Sequence, residues 1–163
     1  PYSFPDVLVG KRDGTHRLCA ELHKLKKVTI ADAYAVPLIT DNIDRLVGSK
    51  YFSTVDMTKS YWQLPLDEKG WQAAAFVTRS VQYSYTCPAM GLLSSRACLQ
   101  IVLGDVVSGL RRKSLLIYLD DVIVFSTTIE QHIERLRKGF ERYRKANLEL
   151  NTKKCELLKR EIK

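Results

Sequence analysis

The sequence has no run of about 18 apolar residues, so it predicts no membrane-spanning helix. It also has no secretory leader pattern at its start. Cysteine is sparse. Cys19, Cys87, Cys98 and Cys155 are too widely spaced for a paired-cysteine zinc site, and His16, His23 and His132 stand in no ligand spacing with them. The four thiols read as small core or surface residues of a reducing compartment. Internal repeats, low-complexity tracts and flexible linkers are missing too. The chain begins at Pro1 without a Met, which reads as a piece of something longer. What is present is 163 residues, 45% hydrophobic and 27% charged, enough for one domain or two small lobes sharing a core. The net charge is +8, with 26 Lys and Arg against 18 Asp and Glu. That balance favours polyanionic partners, chiefly nucleic acid, although a merely soluble basic protein shares it.

One local absence organises the rest. No Lys or Arg occurs between Leu115 and Phe125, yet Asp120 and Asp121 lie in the middle of that stretch. The apolar, β-branched runs on either side read as buried strands, and the acid pair as the tight turn between them. Two carboxylates crowded at a hairpin tip repel each other unless a cation binds. Oxygen ligands of this kind suit Mg²⁺, which keeps waters and takes one or two carboxylates plus substrate phosphates. A solvated acidic turn is the plain alternative for the pair alone.

Taken in order, Val7 to Val9 and His16 to Leu22 predict a hairpin whose tip, Gly10-Lys11-Arg12-Asp13-Gly14, is basic. The tip is either an ordinary solvated turn or a flap that meets phosphate. His23 to Lys27 reads as a solvated basic face. Ile39, Ile43 and Leu46 have helical spacing, with Gly48 placed to end the helix. Tyr51 to Asp56 predicts a strand that ends in an acid, followed by a turn at 58–60 and extended chain over 61–66. Trp71 to Arg79 and Val81 to Tyr85 predict a second hairpin. Leu92 to Val107 predicts a helix with Leu92, Leu99, Val102, Leu103 and Val106 on one face. After the acidic hairpin, Thr127 and Glu130 form a capping box, and Ile129, Ile133, Leu136, Phe140 and Tyr143 mark the core-facing stripe of a helix running to about Lys145. Asn147 is a plausible stop, and Leu148 to Leu150 a short strand. The order predicts an α+β fold, an antiparallel sheet with helices on one face. If the strands ending at Asp56 and at the acidic turn are neighbours, three carboxylates converge at one edge. Three carboxylates can hold two divalent ions about 3.5–4 Å apart, the arrangement for an in-line phosphoryl displacement.

Tyr118-Leu119-Asp120-Asp121, followed by Val122 to Ser126, resembles the Y-x-D-D signature of reverse transcriptases, nearest to the gypsy-type long-terminal-repeat retrotransposons and then to retroviruses. The likeness runs along almost the whole chain. Leu8-Val9 through Lys11 to Cys19 resembles the family stretch LV-KKDGSWRMC, and Lys27-Val28-Thr29 resembles NKVT. Tyr51-Phe52-Ser53 with Val55-Asp56 resembles YFS-LD, and Tyr61 with Gln63 resembles GYxQI. Ala75 to Thr78 resembles TAFxT. Pro88, Gly91-Leu92, Ala97 and Gln100 resemble MPFGLTNAPATFQ, and Leu148 to Glu156 resembles LKLNPKKCEF.

The resemblance implies RNA- and DNA-directed DNA synthesis in a right-hand polymerase with a ferredoxin-like palm core. Residues 1–30 and 65–94 would form fingers, and 31–64 and 95–163 palm, with thumb, connection and RNase H regions absent. Asp56, Asp120 and Asp121 would hold two Mg²⁺ ions, or Mn²⁺ in their place. Lys11, Arg12 and Arg17 would hold the incoming deoxynucleoside triphosphate. Tyr61 would exclude a ribose 2′-hydroxyl, with Met90 and Gly91 beside the nucleotide. Tyr118, Pro88 and Gln100 would meet an RNA or DNA template–primer. The rest of a Pol polyprotein would be the covalent partner, no membrane partner is expected, and the setting would be cytoplasmic, in a virus-like particle. Glu21-Leu22-His23 replaces the family's Asp-Tyr-Arg, Lys26 an Asn, Ser60 a Gly, Arg96 a Pro, and the Pro88 loop is one residue longer. Two expectations remain open from these departures: an active but divergent polymerase that is weak without its missing parts, or a remnant that only binds nucleic acid. A two-metal nuclease would use the same carboxylates, with nothing else in the sequence to support it.

Overall fold

The structure, a computed structural model, describes residues 3–11, 14–30, 44–89, 92, 95–110, 114–118 and 121–162, without the side chains of Arg17, Ala20 and Tyr118. It divides into two compact units, residues 1–33 with 59–95 and residues 34–58 with 96–163. The fold is α+β, as expected, with one four-stranded sheet in each unit.

In the first unit the sheet has the order β2-β1-β4-β5. β1 (Phe4–Gly10) and β2 (His16–Ala20) form the anticipated hairpin, in register from Asp6 opposite Ala20 to Gly10 opposite His16. Its link closes through Lys11 N–H on Thr15 O at 2.7 Å, and Gly14 takes a φ of +78°, a left-handed value that only glycine adopts without strain. Arg12 and Asp13 lie outside the described residues. β4 (Ala75–Val77) runs parallel to β1, and β5 (Gln82–Ser84) antiparallel to β4. Phe4, Leu22 and Ala89 are buried together, with Leu25, Tyr85 and Leu92 packed against them.

Two sequence expectations change in this unit, while the solvated basic face expected at His23 to Lys27 is carried on a short helix, α1 (His23–Val28), with no buried residue. The chain over 61–66 is not extended throughout, because Ser60–Gln63 forms a 3-10 turn. The expected strand from Trp71 begins only at Ala75, because α2 (Glu68–Ala73) takes up the preceding residues. Asp67 caps that helix through Gly70 N–H at 2.8 Å, which fixes its first turn.

In the second unit the sheet has the order β6-β7-β3-β8 and is antiparallel throughout. β6 (Leu115–Tyr118) and β7 (Asp121–Ser126) are the apolar runs around the acids, and β3 (Tyr51–Val55) lies between β7 and β8 (Glu156–Lys159). Leu115, Leu116 and Ile117 are all buried, so this strand is covered on both faces, which is why it reads as an unbroken apolar run. α3 (Ser95–Val106) buries Leu99 and Leu103, and Gly109 beyond its end has a φ of +81°. Most of the helix expected around Ile39 to Leu46 lies outside the described residues. Residues 44–46 are helical and Gly48 is left-handed. The strand expected at Leu148 to Leu150 is a single bridge from Leu150 to Met57.

α4 (Ile129–Lys145) packs on β7 and β3. Its cap is Thr128 rather than Thr127: the Thr128 hydroxyl accepts from Gln131 N–H at 3.3 Å, while the Thr127 hydroxyl donates to the Gln131 side chain at 3.1 Å. The buried face is His132, Leu136, Gly139 and Tyr143, whereas Ile129, Ile133 and Phe140 are exposed. The expected stripe therefore holds for Leu136 and Tyr143 and is rotated for the other three. Thr128→Ala should cost about 1 kcal/mol and lower the melting temperature by about 2–4 °C. Thr127→Ala, which removes an exposed side-chain bond only, should stay within about 0.5 kcal/mol. Thermal melts followed by circular dichroism read both.

Candidate active site

β3 and β7 are held in an unshifted ladder from Tyr51 opposite Ser126 to Val55 opposite Val122. Val55 and Val122 are both buried and close the ladder. One step further along the same register, Asp56 follows Val55 and Asp121 precedes Val122. The two acids therefore stand at the same end of the same strand pair. Asp121 is exposed and belongs to β7, where it pairs with Tyr118. It is thus a strand residue and not half of the turn. Asp120 itself, and with it the separation of Asp56 from Asp120, lies outside the described residues.

Asp56 is the better defined acid. Its side chain is 26% exposed. Oδ1 is buried and finds no hydrogen-bond donor among the described residues. Oδ2 lies 3.5 Å from Lys154 Nζ. The Asp56 carbonyl accepts from Asn151 N–H at 2.9 Å, and Thr58 N–H donates to Glu149 O at 3.1 Å. The segment after β3 is thereby stitched to residues 149–155. Lys154 was not anticipated as a site residue. Nothing in spacing or periodicity marks it, because it reaches Asp56 only through the tertiary fold.

Other expected site residues are placed as follows. Lys11 is exposed at the β1–β2 tip, and Arg17 lies in β2 opposite Val9. Tyr61 is half-buried in the 3-10 turn, and Pro88 is buried. These four belong to the first unit. Arg12, Met90 and Gly91 lie outside the described residues. In the second unit, Tyr118 ends β6, and Gln100 is fully buried in α3 with neither amide atom partnered among the described residues. The structure thus brings Asp56 and Asp121 to one strand end. Among the described residues, no group of three or more His, Cys, Asp or Glu side chains is placed to hold a metal ion.

The donor set still fits a hard cation. A buried carboxylate oxygen without a donor is costly, and Mg²⁺ takes carboxylate oxygens while keeping waters of its own. Among the described residues Asp56 Oδ1 is such an oxygen, and Asp121 adds a second carboxylate at the same end.

Residues 9–163 match the family described as reverse transcriptase (RNA-dependent DNA polymerase). The chain belongs to the reverse transcriptase family. The retrovirus-related Pol polyprotein from transposon 297 of Drosophila melanogaster is 33% identical over 99% of the chain and 16% of its own length. The Pol polyprotein from transposon opus of the same organism is 30% identical over 99% of the chain and 17% of its own length. The enzymatic polyprotein of cauliflower mosaic virus (strain CM-1841) is 28% identical over 99% and 24%. The chain thus spans roughly a sixth to a quarter of these relatives. Among solved structures, the foamy viral protease–reverse transcriptase dRH in complex with double-stranded DNA superposes with a TM-score of 0.89 at 24% identity, over 98% of the chain and 28% of that protein. The same viral enzyme in complex with an RNA/DNA hybrid gives 0.88 at 24%, over 98% and 21%. These likenesses show that the α+β arrangement of this reverse transcriptase chain is that of polymerase domains. The family and fold that the motifs implied are the ones found.

Ala89, next to Pro88, is 1% exposed and is buried with Leu22 in one apolar cluster.

Proposed function

We propose that this chain is the polymerase centre of an RNA-directed DNA polymerase, adding deoxynucleotides to a primer 3′-hydroxyl on an RNA or DNA template. The observation that carries the reading is the buried oxygen of Asp56, without a donor among the described residues, at the strand end it shares with Asp121. Asp56, Asp120 and Asp121 would hold two Mg²⁺ ions. When bound, such a pair lowers the pKa of the attacking hydroxyl and stabilises the leaving oxygen. The rest is positioning by the chain's own groups. Asp56, at the end of a strand paired on both edges, is a fixed point for charge. Lys11, Arg12 and Arg17 on the basic hairpin hold the triphosphate by charge-assisted hydrogen bonds. Tyr61 occupies the space of a ribose 2′-hydroxyl, and Met90 and Gly91 border the nucleotide. Tyr118 meets the template–primer, which the +8 charge favours electrostatically, while Pro88 and Gln100, both buried, act from beneath the surface that does so.

In this reading, residues 1–30 with 65–94 are fingers and 31–64 with 95–163 palm. The parent is a Pol polyprotein acting in a cytoplasmic virus-like particle. The foamy viral relatives in complex with double-stranded DNA and with an RNA/DNA hybrid support the choice of template–primer. A second reading, a chain that binds nucleic acid without extending it, draws on the same charge and on the replacements at Ser60 and Arg96.

Primer extension by the polypeptide that carries this chain separates the two. The first reading expects Mg²⁺-dependent extension with deoxynucleotides strongly preferred. Tyr61→Ala should raise ribonucleotide incorporation by about tenfold or more, the scale of removing a steric block worth about 1.4 kcal/mol. Binding of template–primer with no extension under any divalent ion would leave the second reading.

A further inference from the structure

The turn after residue 150 is built around Asp56. Asn151 N–H donates to the Asp56 carbonyl, and the Cys155 thiol faces the same carbonyl at 3.9 Å. Lys154 N–H and Cys155 N–H both return to Asn151 O, at 2.9 and 3.1 Å, so the turn has its own closed backbone. Leu150 bridges Met57 on the next residue of the β3 chain. This frame delivers the Lys154 ammonium to Oδ2 of the carboxylate whose other oxygen is buried and without a donor among the described residues.

We propose that Lys154 is a positioning residue that holds the place of a divalent cation at Asp56 and sets the concentration at which the cation loads. The inference rests on the metal reading of Asp56. Asp56 and Asp121 stand at the same end of one strand pair, where like charges repel. An ammonium beside one of them offsets that repulsion until a stronger cation arrives. The pair is built to yield. Lys154 is 66% exposed, and an exposed ion pair is weak and screened by salt. A lysine is also a compact point charge on a flexible stem, able to swing into water, whereas an arginine would grip the carboxylate with two parallel bonds. Removing the ammonium should therefore ease cation loading, and replacing it with guanidinium should hinder it.

Mn²⁺ titration of the chain, with free Mn²⁺ read by electron paramagnetic resonance and folding checked by thermal melts, tests this without any activity assay. Lys154→Met should bind Mn²⁺ about two- to fivefold more tightly than the wild type, the scale of a surface ion pair. Lys154→Arg should bind it more weakly. Lys153→Met, which removes the same charge from the exposed neighbouring residue, should change affinity by less than half as much. Asp56→Asn should abolish the high-affinity phase. Equal affinities for wild type and Lys154→Met, or equal gains in the two methionine variants, would overturn the place-holder role while leaving Asp56 as a metal ligand. Mn²⁺ binding that is absent, or indifferent to Asp56→Asn, would overturn the metal reading and this proposal with it.

Discussion

Asp56→Asn is expected to lower primer extension on the order of 10²–10³-fold or more while leaving the fold intact, the scale of removing one fixed electrostatic group from a transition state. The fold should survive because the substitution is nearly isosteric and because the strand, not the carboxylate, does the packing. Val55 and Ser53 are buried in β3, and the Asp56 carbonyl keeps its bond to Asn151. The carboxylate makes little stabilising contact to lose. One oxygen has no donor among the described residues, and the other meets only a largely exposed lysine. An inactive variant whose melting temperature equals or exceeds that of the wild type would mark Asp56 as a residue kept for chemistry at some expense of stability. A variant that loses activity and melts several degrees lower would assign it to the fold instead. Asp120→Asn should match Asp56→Asn in the same assay, and extension unaffected by either change would sink the polymerase assignment.

Where the chain was legible, burial and sequence carry the same signal. Leu115 to Ile117 and Val122 to Phe125 are β-branched or bulky and deeply buried or nearly so, so their strands show directly in the sequence. Tyr51 to Val55 shows for the same reason, and Asp56 at its end is conspicuous because an acid stops an apolar run. Where the reading failed, a local rule was overridden by a partner far away in sequence. α4 carries two rows of residues that could face the core. The row of Ile129, Ile133 and Phe140 stays exposed, and the row of His132, Leu136 and Tyr143 is buried, with His132 hydrogen-bonded to hydroxyls on β3 and β7. β8 is short and has no buried side chain, so no apolar pattern announces it. It forms because its backbone pairs with β3. Lys154 is one lysine in a basic tail until that tail folds against Asp56. The acidic pair reads in the sequence as a two-residue turn, but the register assigns Asp121 to the strand.

His132→Ala should be strongly destabilising, costing about 3 kcal/mol and lowering the melting temperature by about 6–12 °C. The ring is fully buried and stands 6.3 Å from the Tyr51 ring. Its bonds define one proton arrangement. The Ser126 hydroxyl donates to Thr128 O at 2.8 Å, so it accepts from Nδ1–H at 3.0 Å. Nε2 then accepts the Ser53 hydroxyl at 2.7 Å, and Ser53 Oγ in turn accepts Leu158 N–H at 3.0 Å. Every group is satisfied only while the imidazole is neutral. A second proton, on Nε2, would face a hydroxyl whose own proton then has nowhere to go. Burial, with the Arg135 guanidinium adding to it, accordingly holds the His132 pKa below the ordinary histidine value of about 6.5. The sign follows. Below about 6.5 the unfolded chain binds a proton that the folded chain refuses, so stability falls as pH drops through that value toward the depressed folded pKa, and is fully present above it. The loss has a structural address: Leu158 holds a φ of +55°, a conformation a leucine keeps only when its surroundings impose it, and its N–H bond to Ser53 is part of what imposes it. Melting curves between pH 5 and 8 should therefore show a step near and below pH 6.5 in the wild type that is missing in His132→Gln. Amide exchange at Leu158 should accelerate over the same range. A wild-type profile that parallels the variant across that window would show that the Ser53–His132–Ser126 network does not couple β8 to the sheet.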